Sequence, residues 1–259
     1  MHPLTLLFIT GKLTESSNFP LEIWASDRTG HRSRYYVKSF RKQKINTFQT
    51  AKEIVACEVA LQLDLPTPKY DVIDIAPAKL SGFYSDNEVQ RFYDGHKFCS
   101  KRLEQYNALP RISTGYLRDY EVAGIFAFDV LMQNADRGVR DGKPNLLIND
   151  DSLIMIDHEL TLSFISSMPS TVDYENNIRL YPYYYHVLLN HVKSIKVKSH
   201  IFDEFLENLR LLNIESLNSV FDEMDKYNIE YGDRLDYFAY FDWCKRNIPT
   251  LKKYLLGMI

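Results

Sequence analysis

Strand-length apolar runs fill the first hundred residues, and helical spacing takes over after them. LTLLFI is a short apolar run that reads as a strand, and the polar TGKLTESSNFP after it as a loop. LEIWAS and RSRYYVKSF are two further strands around DRTGH, whose Gly30 sits where a hairpin turn wants one. From Thr47 to Leu63, TFQTAKEIVACEVALQL places Ile54, Val55, Val59, Leu61 and Leu63 on a breaker-poor stretch. That pattern predicts a helix, closed by Asp64 and the prolines of LPTP. YDVIDIAPAKL and HKFCSKRL supply more strands, with SGFYSDNE as a turn between them.

Beyond about residue 100 the pattern changes. Arg118 to Gln133, RDYEVAGIFAFDVLMQ, is apolar enough for a helix buried on all sides. LLIND-DSLIMID reads as two short strands joined by an Asn-Asp-Asp turn. YYYHVLLNHV, HIFDEFLENLRLL, IESLNSVFDEM and DRLDYFAYFDWCKRNIPTLKKYLL read as four amphipathic helices. The fold class expected is α+β, with a strand-rich N-lobe over residues 1–100 and a mostly helical C-lobe over 101–259.

Composition narrows the function classes. A chain of 259 residues, 45% hydrophobic, is long enough for a substantial core. A formal net charge of −3 argues against a nucleic-acid coat or a polybasic membrane anchor. The basic run from Arg28 to Lys44 reads as a solvated hairpin edge, with an acidic partner or RNA as the alternative. Cys57, Cys99 and Cys244 are widely spaced, with no CxxC and no clustered histidines, which suits reduced thiols in a cytoplasmic protein. No stretch approaches the roughly 18 apolar residues of a membrane helix, and the N-terminus lacks a basic leader.

The candidate chemistry lies between the apolar helix and the hairpin, in NADRGVRDGKPN (134–145), with LIMIDHEL (153–160) following. Asp136, Asn145 and Asp157 would stand on a loop, at that loop's end and at the end of the hairpin, a spacing that lets them converge on one cleft. Asp and Asn offer hard oxygen donors suited to Mg²⁺, and a carboxylate held off the metal can orient or deprotonate a hydroxyl. Turn chemistry is the bland alternative for these residue types. Lys38 ends the strand run YYVK and would face the cleft if Val37 and Ser39 face away. Glu53, early in the first helix, could pair with it. Arg137 is assigned either to phosphate or to pairing with Asp141, His158 to a structural place beside Asp157, and the tyrosines of LYPYYYHV to interhelix packing.

These segments, in this order, resemble the protein-kinase-like fold and more closely the HipA-like kinase family: YYVK at 35–38, EIVACEVALQLDLPTP at 53–68, NADRGVRDGKPNLLI at 134–148 and LIMIDHEL at 153–160. The resemblance implies a two-lobed kinase that uses ATP and Mg²⁺. Asp136 would be the catalytic-loop aspartate, Asn145 and Asp157 the Mg²⁺ ligands, Lys38 the phosphate-binding lysine and Glu53 its partner. The backbone around Phe98–Ser100, on the strand that leads to the interlobe hinge, would meet adenine. A protein Ser or Thr would be the acceptor, and toxin-type relatives imply an antitoxin partner, with nucleic acid involved only indirectly and no direct membrane association.

Three departures from the kinase pattern stand out, the first being that Asp136 and Asn145 are further apart than the matching residues of eukaryotic kinases. Asp157-His158-Glu159 replaces Asp-Phe-Gly, and the phosphate-covering loop ITGKLTESSNFP holds a single glycine. Hydroxyls of Thr14, Ser16 and Ser17 would there replace glycine amides as donors. The resemblance further implies Ser16 or Ser17 as an autophosphorylation site, against the plainer reading of a solvated loop. The alternatives in function are a small-molecule phosphotransferase of the aminoglycoside type and a non-catalytic pseudokinase module.

Overall fold

The structure, a computed structural model, describes residues 1–13, 20–38, 48–90, 94–109, 117, 122–138, 144–150, 152–165 and 172–259. Thr14, Ser16 and Ser17, together with Asp141, lie outside the described residues.

Five antiparallel strands form the first sheet: β1 (Thr5–Lys12), β2 (Leu21–Ser26), β3 (Arg32–Val37), β4 (Tyr70–Asp74) and β5 (His96–Lys101). Their spatial order is β1-β2-β3-β5-β4. Period-two alternation decides which face is buried. In β2, Leu21, Ile23 and Ala25 are buried while Glu22, Trp24 and Ser26 are half-buried on the other face. Ser33, Tyr35 and Val37 repeat the pattern in β3. The β2–β3 turn closes through Gly30, at φ 82°, whose N–H donates to Asp27 O at 3.0 Å. Leu4, Ile73, Leu80 and Cys99 complete an apolar cluster on the buried face.

The helix α1 (Gln49–Gln62) is wrapped on nearly every side, with Ala51, Ile54, Val55, Ala56, Val59 and Ala60 fully buried. It ends as Asp64 adopts the left-handed conformation, φ 56°, and Leu65 N–H reaches back to Ala60 O at 2.9 Å. Its apolar residues belong to a second, larger cluster shared with Phe98, Val72 and the helices that follow. SGFYSDNE, expected as a turn, contains a short helix α2 (Asp86–Val89), where Ser85 and Glu88 form a capping box.

A small sheet joins β6 (Asn107–Ala108), β7 (Leu146–Ile148) and β8 (Leu153–Met155), and the β7–β8 hairpin stands as its sequence predicts. α3 (Val122–Met132) is buried along its whole length. The remaining helices are α4 (Tyr174–Arg179), α5 (Leu189–Ser194), α6 (Asp203–Leu211), α7 (Leu217–Lys226), α8 (Arg234–Arg246) and α9 (Ile248–Gly257). The long C-terminal helical pattern is two helices because Pro249 sits in the first turn of α9, where its missing N–H costs nothing. YYYHVLLNHV is likewise divided into a 3-10 turn at Tyr183–Tyr185 and α5. Packing is therefore only part of what the tyrosine group does: Tyr181 is buried, but Tyr184 and Tyr185 are exposed. Among the described residues no helix is long and apolar enough to cross a membrane.

Candidate active site

Lys38 follows β3 directly. Val37 is buried in the sheet core, so alternation turns Lys38 to the opposite side, towards α1 and the β7–β8 hairpin. Its Nζ donates to Glu53 Oε1 and, at 2.5 Å, to Asp157 Oδ1. Glu53 is buried, and its second oxygen accepts from His158 N–H at 3.0 Å. One carboxylate thus ties the strand lysine to the residue after Asp157.

Burial alone would discharge the Lys38 ammonium, but Asp157, Glu53 and Glu159 together raise its pKa. A single lysine cannot neutralise three carboxylates. The most buried, Glu53, has its pKa pushed up to about 7 by burial, against the pull of Lys38. Asp157 also suffers from burial, yet Lys38 outweighs that and holds its carboxyl below the usual 3.8.

Asn145 and Asp157 flank the open end of the β7–β8 hairpin, where Ile156 N–H donates to Asn145 O at 3.1 Å. Both residues are left-handed, with φ 49° and 66°. Asn145 Nδ2 donates to Asp136 Oδ2 at 3.1 Å. The structure therefore gathers all five principal candidates into two linked sets, Lys38–Glu53–Asp157 and Asp136–Asn145.

Among the described residues, the carboxylates that could hold a metal ion are not limited to the one expected from sequence, Asp157. Carboxylate oxygens of Glu53, Asp157 and Glu159 lie within 4.8 Å of one another. Three such oxygens suit a hard divalent cation, although Lys38 Nζ already bonds two of the three carboxylates, Glu53 and Asp157. Glu159 was legible only as the last residue of IDHE, where nothing distinguished it from an ordinary acid.

Phe98 and Ser100 are placed differently from the expectation that their backbone meets adenine. β5 is an inner strand: Ser100 pairs with Tyr36 on one side and Tyr70 on the other, and Phe98 O accepts from Lys38 N–H at 3.1 Å. The sheet uses this main chain, and the Phe98 ring stacks on Tyr70 with centroids 5.6 Å apart.

Arg137 turns inward instead of towards a phosphate, and Asp141, its other expected partner, lies outside the described residues. It is among the largest fully buried side chains, and its Nε donates to Asp129 Oδ2. The Asp129 carboxylate also accepts from Asn134 Nδ2 at 3.0 Å and faces His186 Nε2 at 2.9 Å. Burial opposes this charge, but Arg137 and His186 keep its pKa below 3.8. Asp129 is the residue sequence reasoning missed. A lone acid within the otherwise apolar VAGIFAFDVLM was the available signal, because a buried carboxylate demands a buried cation.

The sequence matches the profile of the HipA-like kinase family over residues 27–177, more than half of its length. The chain belongs to that family. This HipA-like kinase is also similar to a solved structure, the Golgi casein kinase with Mn/ADP bound. The TM-score is 0.50 at 10% identity, covering 100% of this chain and 74% of the other. At that identity the likeness speaks for the kinase fold alone. The open conformation of CtTel1 aligns at a TM-score of 0.31 and 10% identity, over 91% of this chain and 11% of that one, and adds nothing to it. No curated protein sequence matches the chain. Family and fold together make the protein a phosphotransferase.

Proposed function

We propose that this HipA-like kinase transfers the γ-phosphate of ATP, with Mg²⁺, to a Ser or Thr hydroxyl of a protein. The observation that carries the reading is the contact of Lys38 with both Glu53 and Asp157, beside a separate Asp136–Asn145 pair. It supports a fixed cation that would meet nucleotide phosphates, with a second carboxylate, Asp136, that would serve the acceptor.

Asp157 and Asn145 would hold the metal, with Glu159 as a further oxygen donor. The bound cation would neutralise charge on the phosphates during transfer. Glu53 keeps Lys38 extended from β3, so the ammonium reaches the phosphates without first losing side-chain freedom. Asp136 is half-buried, and Asn145 Nδ2 orients its carboxylate at Oδ2. There it would accept a hydrogen bond from the acceptor hydroxyl, aligning it and taking its proton. Adenine would meet the chain that follows β5, since the strand itself is spent on the sheet. Autophosphorylation at Ser16 or Ser17, a toxin-type role with an antitoxin partner, and a cytoplasmic setting belong to the same proposal through the family.

Phosphoproteomics on cells expressing the wild type or Asp136→Asn tests it. Ser/Thr phosphosites that depend on Asp136 support the reading. Robust ATP turnover onto amino sugars with no protein phosphosite would favour the aminoglycoside-type alternative. No MgATP binding at all would favour the pseudokinase.

A further inference from the structure

Arg137 follows Asp136 directly in the chain, yet its guanidinium points away into the interior. Besides its bond to Asp129, Nη1 donates to the main-chain oxygen of Asn145 and, at 3.2 Å, to that of Ile156. Nη2 stands 3.5 Å from His158 Nδ1. These acceptors lie on the peptide that follows Asn145 and the peptide that precedes Asp157. One side chain therefore fixes peptide planes at both proposed metal ligands while its own backbone carries Asp136.

The ligands need such a support. Asn145 and Asp157 are both non-glycine residues at positive φ, a conformation that persists only where surrounding contacts over-determine it. Asp129 supplies the counter-charge and His186 fixes its place. His186 Nδ1 accepts from Leu188 N–H at 3.1 Å, so the ring proton sits on Nε2 and faces Asp129. The charge of the cluster then closes within itself, one guanidinium against one carboxylate beside a neutral imidazole. A planar fork can serve Asp129, Asn145 and Ile156 at once, whereas an ammonium cannot match all three directions.

We propose that Arg137, held by Asp129 and His186, is the positioning residue that sets the relative placement of Asp136, Asn145 and Asp157. The proposal rests on the reading that Asn145 and Asp157 receive the metal. Arg137→Lys keeps the charge facing Asp129 and removes the fork. Mn²⁺ binding by electron paramagnetic resonance, in the presence of ADP, should weaken ~10–100-fold, the usual cost of losing a support behind metal ligands. Turnover should fall with it, and Mn²⁺ affinity is read well below the variant's thermal midpoint so that loss of support is separated from unfolding. His186→Gln, which retains a donor towards Asp129, is the gentler probe if the lysine variant does not fold, and a few-fold loss of Mn²⁺ affinity is expected there. Wild-type Mn²⁺ affinity in a folded Arg137→Lys, or in His186→Gln when that is the variant that folds, would overturn the proposal. Asp157→Ala, run in parallel, separates the two failures. If it too binds Mn²⁺ normally, the metal reading falls and the positioning role with it. If it abolishes binding while the Arg137 variant binds normally, the positioning role alone falls.

Discussion

Lys38 Nζ stands 2.5 Å from Asp157 Oδ1 while it also bonds Glu53. A strand, a helix and the end of a hairpin therefore meet at one ammonium. The Glu53 side chain is almost wholly buried and that of Lys38 largely so.

Lys38→Met should expose how much this junction holds. Removing one partner of a buried pair leaves the other uncompensated, at a cost of about 3–5 kcal/mol. The lower end is expected because Glu53, with its pKa pushed up to about 7, can take up a proton. Chemical denaturation should show the loss, and MgATP affinity should fall with it. A Lys38→Met protein as stable as wild type would show that the junction does not depend on the Lys38 charge.

Asp157→Ala removes a hard oxygen and a charge that would balance the metal. Calorimetry should show MgATP binding much weakened, while binding of metal-free ATP changes less. Equal MgATP affinity in variant and wild type would remove Asp157 from the metal site.

Asp136→Asn should leave nucleotide affinity nearly unchanged, since the role proposed for the carboxylate is on the acceptor. Transfer should slow ~10²–10⁴-fold, or about 3–5 kcal/mol of barrier. Full phosphotransfer by Asp136→Asn would exclude the role.

The local pattern carried much of this arrangement. β2 and α1 lie within a residue or two of their expected limits because alternation and helical spacing are properties of the segment itself. The Lys38–Glu53 pairing was legible from strand alternation and the place of Glu53 early in its helix, and resemblance to a known order of motifs reinforced it; the structure places them in contact. What stayed hidden depends on distant partners. Nothing local to Arg137 indicates that it turns inward to Asp129, eight residues back on a buried helix. The adenine expectation for Phe98–Ser100 was drawn without strand order, which sequence does not give. Only the β3-β5-β4 arrangement reveals that both edges of β5 are taken. Tyr184 and Tyr185 were misread since apolar character alone does not choose between core and surface.

Acid should weaken the fold sooner than its carboxylates would suggest. Burial first, with Arg137 adding to it, lowers the pKa of His158 to about 3. Burial also lowers that of His186 despite Asp129. Unfolded histidines titrate near 6.5, so between the folded and unfolded values the unfolded chain binds more protons. Stability is then present above pH ~6.5 and falls below it, by about 1.4 kcal/mol per pH unit for each such group. Glu53 opposes this: its folded pKa of about 7 lies above the ordinary 4.5, so its protonation favours the fold as pH falls. That offsets about one histidine and leaves a net loss from the other, while Asp129 and Asp157, with pKa values below 3.8, stay charged through this window. Denaturation midpoints in metal-free buffer should drop between about pH 7 and pH 5, and His158→Phe should flatten the slope. A pH-independent midpoint would show that these rings reach water.

Gly138 tests how tightly the loop is seated. A Cβ there would come within 2.7 Å of Tyr185 O and 3.3 Å of Tyr185 Cβ. The same contact is sewn by a bridge between Gly138 and His186 and by Val187 N–H donating to Arg137 O at 3.0 Å. The obstacle is backbone, so Gly138→Ala must push the loop that carries Asp136 and the 185–187 segment apart, at about 1–3 kcal/mol for overpacking. That displacement begins two residues from Asp136, so turnover should fall along with the thermal midpoint. Gly82→Ala is the control, since nothing lies within 4 Å of its added methyl. Gly138→Ala with the melting point and rate of the Gly82→Ala control would show that the loop can yield without disturbing Asp136.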